Sequence, residues 1–173
     1  ICSSTSNYEI SFNNWLNENK ISNISHLLYD SKDLIQSKIQ IDFLLENKIG
    51  IELHGLTSHS TYSSNINLDR FKSKPSNYHL NKLETAIDHN IDLLQFWNFE
   101  WELKPDIVKS IILNKLNLSL YKEYARNCYV KEIDKNVSDN FLINNHIQGT
   151  VKSDSIRLGL FYKKNDNLVS VMT

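Results

Sequence analysis

The residues best suited to chemistry are Asp42, Glu52 and His54, carried on two runs that alternate with period two. Ile39, Ile41, Phe43 and Leu45 alternate with Gln40, Asp42 and Leu44. Beyond Glu46-Asn47-Lys48, Ile49, Ile51 and Leu53 alternate with Gly50, Glu52 and His54. This pattern predicts a β-hairpin with one apolar face and a second face bearing Gln40, Asp42, Glu52 and His54. A three-residue loop centred on Asn47 pairs residues whose numbers sum to 94, which sets Asp42 opposite Glu52. Directly opposed side chains have Cβ atoms roughly 4.5–5.5 Å apart. A one-residue slip would turn one strand's apolar set to the other face, so the pattern itself selects this pairing.

Like charges across a hairpin repel, unless both stay solvated, one takes a proton, or a cation lies between them. Magnesium is typically bound by one or two carboxylates and keeps water and phosphate oxygens as its other ligands. His54, two residues beyond Glu52, is placed to relay a proton or hold a phosphate. The plain alternative is the water-facing side of an edge hairpin. Taken singly, Glu9 reads as a helix cap, His59 and His79 as surface histidines, and Lys82 as a solvated helix lysine.

The elements that must position these groups are legible around them. Ser6-Asn7-Tyr8-Glu9 fits a capping box and opens a helix through Phe12, Trp15 and Leu16 to about Asn19. A short strand is expected near Ile24–Tyr29. Residues 56–77, rich in serine and asparagine, carry Arg70, Lys72 and Lys74 in a long connection of the kind usually tied to function. Helical spacing resumes at Tyr78, with Leu80, Leu83 and Ile87 on one face and His79, Lys82, Ala86 and His89 on another. Ile91–Phe96 reads as a buried strand, and Pro105 as the first turn of a helix with an apolar stripe from Ile107 to Leu116. After that come a strand at Tyr129–Ile133, a helix at Val137–Asn144 and a hairpin from Leu158–Tyr162 and Leu168–Met172.

Composition bounds the class. The 173 residues are 40% apolar and 23% charged, with 4 glycines and 2 prolines, which suits a globular chain and excludes collagen-like or linker architecture. No run approaches a membrane span. Cys2 and Cys128 are too few for a zinc site and read as reduced thiols of a cytoplasmic protein. A net charge of −1 advertises no nucleic-acid partner for the whole molecule. Residues 1–118 carry 11 basic and 14 acidic side chains against 8 and 6 in residues 119–173, which places a domain boundary near 118–125. Ile1 at the start and a strand-like run at the end suggest a chain cut at both ends.

Asp42, nine intervening residues, then Glu52-Leu53-His54 resembles the D-x(n)-(D/E)-x-K motif of PD-(D/E)XK nucleases, with histidine in the lysine position. Ile49-Gly50-Ile51-Glu52 through Gly55-Leu56 to His59-Ser60, then Tyr78-His79-Leu80-Asn81-Lys82 and Glu100-Trp101, is similar to restriction-like homing endonucleases of phages and mobile elements. His54-Gly55 followed by His59 also resembles very-short-patch repair endonucleases. The resemblance covers about residues 6–135. It implies an α/β, restriction-endonuclease-like core: a helix, a mixed three- to four-stranded sheet and flanking helices, at 1–118. A truncated C-terminal α+β accessory module, faintly like the start of an acetyltransferase-type fold and assigned no activity, would occupy 119–173.

The resemblance further implies hydrolysis of phosphodiester bonds in double-stranded DNA with magnesium, or manganese, as cofactor. Asp42 and Glu52 would be metal ligands. Glu9 would orient a metal-bound water, His54 and His59 would give or take protons, and Lys82 would contact phosphate or steady the attacking water. Arg70, Lys72, Lys74 and Lys109 would supply local positive charge for DNA. The chain departs from its relatives at Gln40, where they carry glutamate, and at Ser58, where they carry tryptophan; its hairpin turn is one residue shorter and lacks their proline. Two other readings stay open: a nicking enzyme of mismatch repair, and a DNA-binding module that keeps the fold without catalysis.

Overall fold

The computed structural model describes residues 6–31, 38–55, 77–150 and 156–173. His59, Arg70, Lys72, Lys74, Cys2 and Ser58 lie outside the described residues. The chain is mixed α/β and divides into two compact units, Ile1–Pro105 and Asp106–Thr173. The expected boundary near 118–125 therefore differs from the observed seam, which falls at the first residue of the helix begun by Pro105.

The first unit opens with α1 (Asn7–Glu18), held by the expected capping box: Glu9 N–H donates to Ser6 Oγ and Ser6 N–H to Glu9 Oε2. Then come β1 (Asn23–Asp30), β2 (Lys38–Leu45), β3 (Ile49–His54), α2 (Tyr78–Asp88), β4 (Asp92–Trp97) and α3 (Asn98–Leu103). The four strands form one mixed sheet in the order β1-β2-β3-β4, antiparallel except for the parallel β3–β4 pair. Glu46–Lys48 closes the hairpin as a single tight turn, with Asn47 and Lys48 in the left-handed region at φ 58°. The observed pairs Phe43–Ile51, Leu44–Gly50 and Leu45–Ile49 all sum to 94, as the alternation requires.

Both faces of this sheet are covered. On one, Phe12 of α1 meets Phe43 at 5.0 Å between ring centroids, and Trp15 and Trp101 close the aromatic group. Pairs of this kind contribute roughly 0.5–1.5 kcal/mol each beyond the area they bury. Trp101 also donates its indole N–H to Ser11 Oγ at 3.3 Å. Six-residue α3, unforeseen in the sequence reading, is what delivers Trp101; Glu100 starts it by accepting from Trp97 N–H at 2.8 Å.

Toward α2, Ala86 packs with Ile41, Ile91 and Leu93, with Tyr29, Leu44 and Leu83 at the margin. Ile39, Ile41, Phe43 and Leu45 are the buried positions of β2, as the alternation requires. Gly50 permits the close approach: a Cβ there would meet Ile91 at 2.8 Å and Leu93 at 3.0 Å.

The orientation of α2 corrects its helical-wheel reading. Tyr78, Lys82, Thr85 and Ala86 are buried, whereas Leu80 and Ile87 are 55% and 61% exposed. The face that looked polar is the one turned to the sheet. β3 is consequently buried along its whole length, and Glu52 and His54 do not lie on a water-facing side.

The second unit contains α4 (Pro105–Lys115, whose first residue closes the first unit), β5 (Cys128–Glu132), α5 (Lys135–Asn145), β6 (Leu158–Tyr162) and β7 (Asn167–Met172). Its strands form an antiparallel sheet in chain order, matching the strand, helix and hairpin expected there. Val108, Ile112 and Leu116 are the buried positions of the α4 stripe. Among the described residues no helix is long and apolar enough to cross a membrane.

Candidate active site

Asp42 sits where two strand ladders lapse together. The β1–β2 pairs run Ser25–Phe43 and Leu27–Ile41, leaving out the intervening rung of His26 and Asp42. The β2–β3 pairs stop at Phe43–Ile51, one rung short of Asp42 and Glu52. In place of a backbone acceptor, Leu53 N–H donates to Asp42 Oδ2 at 2.9 Å. His26 adopts a left-handed backbone at φ 56°, uncommon for a residue other than glycine and a conformation that collects at functional sites. Its Nδ1 accepts from Gln40 Nε2 at 2.8 Å.

Glu52 points to the α2 side of the sheet. The Lys82 ammonium donates to Glu52 Oε1 and lies 5.6 Å from the centre of the Tyr78 ring. These are deeply buried charges: Glu52 is 3% and Lys82 2% exposed. Glu52 Oε2 is buried with no hydrogen-bond partner among the described residues. His54 Nδ1 stands 4.0 Å from Glu52 Oε1, and its Nε2 meets Gln95 Oε1 at 2.9 Å. The imidazole is packed edge-on against His79 at 4.4 Å and Trp97 at 5.5 Å between ring centroids.

The electrostatics follow from burial. Desolvation pushes the Glu52 carboxyl up to about 7, with Lys82 pulling it down and the Asp42 charge adding to the rise. Asp42 is also raised by burial; the Leu53 N–H, Lys82 and His26 oppose this, and Glu9 reinforces it. For Lys82, burial disfavours the charge, but Glu52, Tyr78 and Asp42 together outweigh it and the ammonium is held above its ordinary value. The cluster therefore keeps a firm positive charge on Lys82 beside a carboxyl that changes state near neutrality.

Of the residues singled out in the sequence, Glu9, Asp42, Glu52, His54 and Lys82 share one neighbourhood. Glu9 takes part through its charge on Asp42 while capping α1. Lys109 belongs to the second unit, where it pairs with Asp106 at 3.8 Å one helical turn away. Two members escaped the sequence reading. Gln95 had a signal, being the lone polar residue in the apolar run from Leu93 to Phe96. His26 had none, because its role rests on backbone conformation.

Among the described residues no group of three or more His, Cys, Asp or Glu converges as a metal cage. Two carboxylates still fit magnesium, which draws most of its ligands from water and substrate. The buried Oε2 of Glu52 supplies acceptor capacity that the described residues leave unused. Comparison with protein-family models, with curated proteins and with solved structures finds no match.

Proposed function

We propose that the first unit is a magnesium-dependent DNA endonuclease of the PD-(D/E)XK class, of the homing type carried by phages and mobile elements. The observation that carries this reading is the pair of buried acids on neighbouring strands, Asp42 on β2 acting through its charge on Glu52 of β3, with the Lys82 ammonium on Glu52. The motif's lysine position holds His54, and the positive charge arrives instead from α2. Asp42 and Glu52 would hold the cation, which when bound polarises the phosphoryl group and stabilises the leaving oxygen. Asp42 is oriented for this by the Leu53 N–H and Glu52 by Lys82.

His54 Nδ1 takes the proton of the attacking water as the new P–O bond forms. The displaced oxygen leaves with the bonding pair and takes a proton from solvent. Lys82 carries its charge beside the phosphate, where a fixed cation in a water-poor site acts more strongly than in solvent. Positive charge for the DNA backbone would come from Arg70, Lys72 and Lys74.

One observation favours a second reading. Lys82 and Glu52 already satisfy each other in the interior, as they would in a DNA-binding module without catalysis. Plasmid cleavage with magnesium, with and without chelator, separates the two. Cleavage is expected to require the metal and to fall roughly 10²–10³-fold in Asp42→Asn, matching the several kcal/mol a metal contributes. Equal cleavage by the variant removes the mechanism. DNA binding without any cleavage by the parent chain selects the binding module. Running matched and mismatched duplexes side by side tests for a mismatch-nicking enzyme.

A further inference from the structure

We infer that Gln95 is a positioning residue that fixes which nitrogen of His54 faces the carboxylates, an inference that rests on the proposed role of His54 as proton acceptor. The parallel β3–β4 register sets Gln95 beside Glu52, with Leu53–Phe96 and His54–Trp97 as the next pairs. Gln95 Oε1 is an amide oxygen and can only accept, so the hydrogen of neutral His54 resides on Nε2, 2.9 Å away. The ring's lone pair then belongs to Nδ1, the atom 4.0 Å from Glu52 Oε1. His79 and Trp97 against the imidazole keep the ring from turning over and exchanging its two nitrogens.

The direction of the Gln95 amide sets the outcome. Turned around, it would present an NH₂ donor to Nε2, move the hydrogen to Nδ1 and leave no lone pair on the side of Glu52. Buried histidines elsewhere have their tautomer set in this way by the group on the far nitrogen. Gln95 acts through its contact with His54 Nε2.

The test is a two-bond proton–nitrogen correlation spectrum of the full chain labelled with ¹⁵N-histidine, at about pH 8, above the ordinary histidine value of about 6.5. His54 is assigned by the signals lost in His54→Gln. The expected result is the Nε2–H pattern in the parent chain and its replacement by a tautomer mixture in Gln95→Leu. An Nδ1–H pattern in the parent chain, or an unchanged tautomer in a folded Gln95→Leu, overturns the inference. Should Gln95→Leu not fold, the parent spectrum decides alone, Nε2–H supporting and Nδ1–H overturning. In cleavage, Gln95→Leu is expected to lower kcat about tenfold with KM unchanged, the size of effect typical of such outer partners. A chain that cleaves no DNA but shows Nε2–H keeps the tautomer assignment and loses only the nuclease reading.

Discussion

Lys82 and Lys131 each sit over an aromatic ring and beside a carboxylate, yet they lie at opposite ends of the electrostatic scale. Lys82 of α2 has Tyr78 at 5.6 Å and Glu52 as its ion-pair partner, all buried. Lys131 of β5 has the Phe161 ring at 4.0 Å, Tyr129 at 5.6 Å and Asp166 at 3.7 Å, with its charge in water. In the first group burial raises both acids and binds lysine and glutamate into one unit. In the second, the groups lie in water, and the Tyr129 phenol is raised chiefly by its bond to Asp166. The contrast teaches that this sequence uses a lysine, an aromatic ring and a carboxylate both for a buried cluster and for surface cohesion. Only depth distinguishes them.

The contrast can be broken most forcefully by removing each lysine. Lys82→Met leaves the Glu52 carboxylate buried without its partner and is expected to cost about 3–5 kcal/mol in urea unfolding above neutral pH. Adding Glu52→Gln to it is expected to recover most of that loss, since the interior then holds no stranded charge. A cost below about 1 kcal/mol for Lys82→Met would place it with the surface pairs and erase the distinction.

A slightly smaller effect sharpens the same point through pH. The folded-state value of Glu52 lies near 7, above its ordinary 4.5, so the native state holds the proton more tightly than the unfolded chain. Its contribution to stability is therefore fully present below about 4.5 and is lost as pH rises through 7. Measured as the difference between the parent chain and Glu52→Gln without divalent cations, the fall is expected to be about 3 kcal/mol. Magnesium is expected to flatten it by favouring the ionised carboxylate. A profile that rises over this window would contradict the burial argument.

The smallest effect belongs to the second unit. Lys131→Met is expected to change unfolding stability by less than about 1 kcal/mol, and the difference should shrink further in high salt. A larger, salt-insensitive loss would mean that this surface cluster is organised as tightly as the buried one.

Much of the fold can be read from local order in the chain. The capping box at Ser6 and Glu9 and the alternation from Ile39 to Leu53 depend on contacts within a few residues, and both appear as read. The same alternation fixed the β2–β3 register without any tertiary information, because a slip would expose Phe43 and Ile51. By contrast, α2 misled the helical wheel. Leu80 and Ile87 looked like its inner face, but the sheet beneath offers a carboxylate, and Lys82 turns inward to meet it. A wheel counts apolar residues and cannot see that a buried partner makes a lysine the better choice.

What the sequence determined by itself is the hairpin register from Phe43–Ile51 to Leu45–Ile49 and the mixed α/β order around it. Tertiary structure alone decided the character of Asp42 and Glu52. It laid α2 over β3, put Lys82 on Glu52, set Gln95 against His54 and gave His26 its left-handed turn. Register is a property of neighbouring residues and is written in their alternation. Desolvation depends on everything within several ångströms, whatever its distance along the chain, and is settled only when the layers close.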